Sequence, residues 1–372
     1  MWNLALEQSR WYRPHWGPTP GFVAQSAQLT EARAACEWLA SGSFTVQQQA
    51  LRDFAQAMKN FWAGTHGYPT WRRKGLHEGF RVVAVRPRHV RRLNRRWGEM
   101  LVPKVGRVRF RWTRPIVEAK SYRVTRDRAG RWHVAFAVQP IPLGREPTGA
   151  VVGIDRGVAN TLATSDGKFF HAPSMTRTER ARHTRMQRKM ARQQPGSGRR
   201  ARTKKAIARL RATEADRVKD WVEKTTTAVV LRYDLVAVEA LTVGSMTRSA
   251  RGTLADPGRN VRAKAGLNRE ILARRWGLFL SRLKDKASLA GVVVVEVPAA
   301  YTSQRCSACG HVAAESRENQ ATFCCVACGH SEHADSNAAR NILAAGRAVT
   351  ARGGESSSPS NREPQPRGLQ AA

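Results

Sequence analysis

Acid is the scarcest chemistry in this chain. Over 372 residues it sets 28 Asp+Glu against 64 Lys+Arg, a formal net charge of +36. Such an excess repels itself unless a polyanion neutralises it, which points to nucleic acid as partner. Arginine supplies 51 of the 64 bases, and a GC-rich genome can raise that count without any binding role. An excess of this size nevertheless goes beyond a solvated charged surface. Long apolar runs are also missing. No stretch of 18 or more apolar residues occurs, so no segment reads as a membrane span and no membrane partner is expected. The opening "MWNLALEQSRWYRPHWG" mixes acid, base and proline where a signal peptide would carry an apolar core, and a cytoplasmic protein is expected. Cysteine is sparse too. Six residues, five of them crowded together, argue against a disulfide framework in such a compartment. No internal repeat shows at any period, which excludes a solenoid.

What remains is enough to fold. At 41% hydrophobic residues the chain can bury a sizeable core in two or three packed units. Residues 22–62 carry helical spacing, with Leu29, Ala32, Cys36 and Leu39 on one face and Val46, Ala50, Phe54, Ala57, Met58 and Phe61 on the next. From Gly79 to Val138 the alternating runs "FRVVAV", "RVRFRW", "SYRVTR" and "WHVAFAV" predict antiparallel strands of a sheet or small barrel. That stretch is basic, with 20 Lys/Arg and 4 Asp/Glu between Trp71 and Arg131.

"PIPLGREPTG", residues 140–149, is the main expected domain boundary. Beyond it "VVGI", "VANTLAT" and "KFFHA" predict three consecutive strands. Residues 176–232 predict two long helices split by "QQPGSGRR", a basic arm with 16 bases and 3 acids from Thr176 to Lys219. "YDLVAVEA" and "GVVVVEV" read as strands buried on both faces, with one helix over 267–289 between them. The Gly/Ser/Pro-rich tail predicts no fold.

Two motifs carry chemistry. Cys306-x-x-Cys309 and Cys325-x-x-Cys328 are separated by 15 residues and each is followed by glycine. Two such knuckles present four thiolates to one tetrahedral zinc ion, and the metal would fold a finger that has little apolar core of its own. Cys324 does not give the spacing to Cys328 and is read as a spectator. Asp155 ends "VVGID", Glu239 ends "LVAVE", and Asp335 opens "DSNAARNIL". Taken singly, a strand-end acid can cap a turn and Asp at a helix start is a common N-cap. Taken together, three carboxylates from two strands and a returning helix can converge on two Mg²⁺ or Mn²⁺ ions, which require hard oxygen ligands and suit hydrolysis of a phosphodiester.

In this order "GIDRGVANTLATSDG", "LVAVEALTVGSM", "AYTSQRCSACGH", "FCCVACGH" and "HADSNAARNIL" resemble TnpB, the RNA-guided nuclease of bacterial insertion sequences, and its compact type V CRISPR relatives. The likeness extends from "FTVQQQALRDFAQAMKNF" near residue 44 to about residue 349. It implies an α/β multidomain protein: an RNase H-like RuvC nuclease domain with a zinc-ribbon insertion, preceded by a small β-barrel wedge domain with a helical recognition insertion. The implied boundaries are a wedge remnant at 1–21, recognition helices at 22–70 and the wedge at 71–147. The nuclease domain follows at 148–300, with its helical arm at 176–232. The zinc ribbon at 301–333, a closing helix at 334–349 and a disordered tail at 350–372 complete the chain. Family members begin with a strand and a helix ahead of the segment resembling "MWNLALEQSRW", and this chain begins within that stretch.

The resemblance makes Asp155, Glu239 and Asp335 the catalytic metal ligands and the cysteine finger a target-nucleic-acid-binding insertion. It implies an RNA-guided DNA endonuclease. Its partners are a guide RNA, target double-stranded DNA and the displaced strand, in a prokaryotic cytoplasm at the nucleoid. Two rivals stay open: an RNA-guided binder that does not cut, and a transposase or resolvase acting without RNA.

Overall fold

The computed structural model describes residues 1–12, 15, 19–76 and 78–353. The expected tail from residue 354 onward lies outside the described residues. Two compact units result, Met1–Pro140 with Ala181–Ala212, and Ile141–Arg180 with the chain from Thr213 on.

The first unit begins with four helices: α1 (Trp2–Trp11), α2 (Phe22–Ala35), α3 (Glu37–Ser41) and α4 (Phe44–Trp62). In α4 the buried Leu51, Phe54 and Met58 follow helical spacing, and they close a core with Ala5, Leu6, Leu29 and Leu39. Residues 1–21 thus contribute a helix to this core. Six strands follow: β1 (Gly79–Val83), β2 (Val90–Arg92), β3 (Trp97–Val102), β4 (Gly106–Arg111), β5 (Ser121–Arg126) and β6 (Trp132–Ala137). They pair antiparallel as two three-stranded sheets, β1-β5-β6 and β2-β3-β4. Val82, Tyr122 and Val124 of one sheet share a core with Met100 and Val102 of the other, and the Tyr122 hydroxyl donates to the Leu101 carbonyl across them at 2.7 Å. The alternation seen in the sequence has this cause, since one face of each sheet is buried and the other carries the arginines.

The second unit is built on a five-stranded mixed sheet. Its strands are β7 (Val151–Asp155), β8 (Leu162–Thr164), β9 (Phe169–Phe170), β10 (Leu235–Glu239) and β11 (Val293–Val297), in the order β11-β10-β7-β8-β9. The first three in the chain pair antiparallel, and β10 then runs parallel to both β7 and β11. Between β9 and β10 lie α5 (Arg177–Arg192) and α6 (Gly198–Arg232), helices with residues in both units. The C-terminal half of α6 places Val218, Val222, Val229 and Val230 against Val152, Ile154, Val236 and Val238 of the sheet.

Three expectations are corrected by this unit. The single helix expected over 267–289 is two, α8 (Val261–Arg274) and α9 (Trp276–Ala290), which follow the short α7 (Val243–Met246). Arg275 stands between them in the left-handed region (φ 52°), where the sequence places no glycine or proline at the break itself. The break lets Trp276, Phe279 and Leu283 be buried along α9. Among the described residues strand β11 is an edge strand, bonded only to β10 and leaving Val293 half exposed, so its apolar run does not mean burial on both faces. The closing helix also runs further than residue 349. It is α10 (Ala334–Gly353), and it follows a two-stranded ribbon of β12 (Thr322–Cys324) and β13 (Ser331–His333).

Candidate active site and metal centre

Parallel pairing of β10 with β7 sets the first two acids side by side. Val238 pairs with Ile154, and Glu239 and Asp155 are the next residues of each strand. Asp335 comes from the first turn of α10, which crosses the same two strands. The crossing depends on small residues. A Cβ on Gly153 would stand 2.1 Å from the Ala339 carbonyl oxygen, and one on Gly346 would stand 2.5 Å from the Ala237 methyl. Glycine at both positions lets helix backbone lie on strand backbone, and Asp335, one turn before Ala339, arrives beside Asp155.

All three acids line one cavity of about 300 Å³, together with Arg156, Thr302, Ser303, Arg317 and Gln320. A larger cleft of about 1100 Å³ belongs to the first unit and is lined by Arg52, Lys59, Arg81 and Arg123. Its one acid, Asp53, is held in a fork by Arg123 at 2.8 Å, so no free carboxylates gather there.

Partners orient each carboxylate in the smaller cavity. The buried Thr302 hydroxyl donates to Glu239 Oε1 at 2.6 Å. Asn160 Nδ2 donates to Asp335 Oδ2 at 2.9 Å, and Arg317 lies 3.8 Å from Oδ1 of the same group. Burial, with Glu239 and Asp335 close by, pushes the Asp155 carboxyl up to about 7. Glu239 is pushed up as well, chiefly by burial, although the Thr302 hydroxyl and the Arg156 charge oppose this. Arg156 is buried and donates to the Glu239 carbonyl oxygen. Its guanidinium is depressed by burial against the pull of Glu239, Glu296 and Asp155.

Three carboxylates line one half-open cavity beside Arg156 and Arg317, and hard oxygens of this kind would suit a divalent cation. The three acids are not drawn as tightly together as the four thiols described next.

Cys306, Cys309, Cys325 and Cys328 bring their sulfurs within 4.8 Å of one another and could hold a zinc ion; they are the only such cluster of His, Cys, Asp or Glu among the described residues. The knuckles are alike. Cys306 N bonds the His311 carbonyl and Gly310 N the Cys306 carbonyl, while Cys325 N bonds the His330 carbonyl and Gly329 N the Cys325 carbonyl. Gly310 and Gly329 both take positive φ, at 79° and 71°, which the turn back toward the metal requires. Amides of Cys328 and Ala327 pull the Cys325 thiol down, while, against the His330 amide, the neighbouring Cys309, Cys325 and Cys306 push the Cys328 thiol up, so without a metal the quartet gives up its first proton readily and holds its last. Cys324 lies in β12, outside the quartet.

Sequence reasoning missed Asn160, Arg156, Arg317 and Thr302. The missed residues carry no spacing signal, because each acts on a group far away in the chain.

Two family models match parts of the chain. The family described as "Cas12f1-like, TNB domain" matches residues 276–342, and the family described as "Probable transposase" matches residues 133–250. The chain is 36% identical over 365 residues to the putative RNA-guided DNA endonuclease InsQ of Escherichia coli (strain K12), covering 97% of this chain and 88% of that protein. It is 32% identical over 362 residues to a putative RNA-guided DNA endonuclease of Streptomyces pristinaespiralis, covering 95% of this chain and 84% of that one. Among solved structures, the Cas12f1–sgRNA–target DNA complex aligns with a TM-score of 0.52 at 14% identity, over 92% of this chain and 79% of that chain. That likeness speaks for the fold alone.

Proposed function

The chain belongs to the TnpB family of insertion-sequence proteins, with InsQ a relative over 97% of this chain and 88% of its own, and from that premise we propose that it is an RNA-guided, metal-dependent DNA endonuclease. One observation carries the chemistry: three acids on β7, β10 and α10 line a single half-open pocket in a chain that is otherwise rich in arginine. The strand order β11-β10-β7-β8-β9, three antiparallel strands extended by two parallel ones, supports an RNase H-like RuvC reading of the second unit.

Asp155, Glu239 and Asp335 would hold two Mg²⁺ or Mn²⁺ ions. Bound there, the pair would activate a water and stabilise the leaving oxygen of a DNA phosphodiester. Thr302 and Asn160 each tie up one carboxylate oxygen and so orient the acids. Arg317 at the pocket edge is placed to meet a phosphate. The cysteine quartet would hold one structural zinc in a target-binding ribbon over 301–333. Residues 148–300 and 334–349 form the nuclease domain in this reading, 22–70 the recognition part and 71–147 the wedge. Basic sheets and arm would hold the guide RNA, whose pairing with one DNA strand selects the target beside a short flanking motif. The displaced strand would then reach the pocket along basic and aromatic groups. The setting is a prokaryotic cytoplasm, at the nucleoid once DNA is bound.

The test is to purify the full chain with its co-purifying RNA, sequence that RNA, and assay Mg²⁺-dependent cleavage of a matching duplex. Asp155→Ala, Glu239→Ala and Asp335→Ala should each abolish cutting while RNA stays bound. Undiminished cutting by any of them removes that residue from the site, and a chain that carries no RNA leaves only the RNA-independent reading.

A further inference from the structure

We propose that Thr302 is a positioning residue for the carboxylate pocket, and that through it the metal of the four cysteines sets the affinity of the pocket for its divalent ions. The inference rests on the metal-binding reading of the three acids given above.

Thr302 sits where the two sites meet in the chain, four residues before Cys306 and inside the cavity of the acids. Its side chain is 8% exposed, and its single hydroxyl proton has two acceptors within reach. Glu239 Oε1 stands at 2.6 Å and the Ala299 carbonyl at 3.1 Å, so the shorter, charge-assisted bond goes to the carboxylate. The backbone that aims this hydroxyl is strained. Tyr301 takes φ 63° with its ring exposed, a conformation that side chains larger than glycine rarely adopt.

The turn is held from α10. Asn341 Nδ2 donates to the carbonyls of Thr302 at 2.9 Å and Arg305 at 2.7 Å. Asn337 donates to the same Arg305 carbonyl at 2.7 Å, and its Oδ1 accepts from the Ser307 amide at 2.8 Å. Asn337 is fully buried and Asn341 nearly so, and Asp335 lies two residues before the first of them. Segment 302–307 is therefore fastened to the helix that bears one acid, to a second acid through Thr302, and to the thiol cluster through Cys306. A metal that closes the thiol cluster fixes the far end of this segment. With that end loose, Thr302 loses its aim and Glu239 its orientation.

Manganese(II) alone is the probe, titrated into the full-length, zinc-loaded chain and read by loss of the free-ion electron paramagnetic resonance signal. Thr302→Val keeps the shape and removes the donor, and should weaken binding about tenfold, equivalent to about 1.4 kcal/mol. Thr302→Ser keeps the donor and should stay within about threefold of the parent chain. Zinc content should not move in either, and Thr302→Ser should melt like the parent chain while Thr302→Val loses some stability from the unpaired Glu239 oxygen. Cys309→Ser should weaken manganese binding in the parent chain and add nothing on top of Thr302→Val, because the route is already cut. Asn341→Ala replaces it in the cycle if the cysteine variant is insoluble. Parent-like binding by Thr302→Val, or simple additivity in the cycle, overturns the proposal. So does loss of zinc from Thr302→Val, since the hydroxyl would then hold the finger rather than the carboxylate. A parent chain that binds no manganese overturns the metal-site reading itself, an outcome distinct from these.

Discussion

Replacing Gly153 by alanine tests how α10 delivers Asp335. The new Cβ would stand 2.1 Å from the Ala339 carbonyl oxygen and 2.7 Å from the Leu343 amide nitrogen, both of them helix backbone that cannot swing aside. Ordinary contact begins at 3.4 Å, so the helix must retreat by about 1.3 Å from β7. Overpacking of this kind costs about 1–3 kcal/mol. In a unit of this size each kcal/mol lowers the melting midpoint by about 2–4 °C. Asp335 rides on the same helix, one turn away, and a misplacement of about 1 Å at a reacting centre costs roughly a hundredfold in rate. Single-turnover cleavage of a guide-matched duplex should fall by about that factor, with zinc content kept. Gly277→Ala is the control, since nothing lies within 4 Å of its new methyl group. It is the second residue of α9, and the change should leave stability within about 0.5 kcal/mol of the parent chain. Gly153→Ala that cuts and melts like the parent chain would refute the idea that this crossing sets the third acid.

Two further outcomes follow from the sites. In zinc-loaded protein without added divalent metal, Asp155 keeps its proton to about 7 in the folded state but loses it near 3.8 in the unfolded chain. Between those limits the folded state binds more protons, so stability falls as pH rises, by no more than about 4 kcal/mol across the window. Thermal melts should therefore decline more steeply toward pH 7 for the parent chain than for Asp155→Asn, and parallel curves would show that burial does not perturb this group. Cys309→Ser should release the metal of the ribbon and unfold its two knuckles, because a structural zinc ion is worth about 10–16 kcal/mol in small fingers. Unchanged zinc on elemental analysis would remove Cys309 from the quartet.

Much of this protein is written locally. The charge balance, the period-two runs of β1, β4, β5 and β6, the apolar β7 and β10, and the repeated Cys-x-x-Cys-Gly are each contained in a short window, where propensity and spacing act within one element, whereas β2 and β3 were not legible there. The three acids could be proposed from sequence because each sits at the end of a legible element. Their convergence could not be read there. It depends on Gly153 and Gly346 admitting α10 onto the sheet, and on bonds such as Asn160 to Asp335 that span 175 residues. The break at Arg275 and the edge position of β11 were hidden for the same reason: backbone strain and strand order are settled by which surfaces pack together. Local sequence determined what the parts are, and the packing of distant segments decided which acids share a pocket and which side chains hold them there.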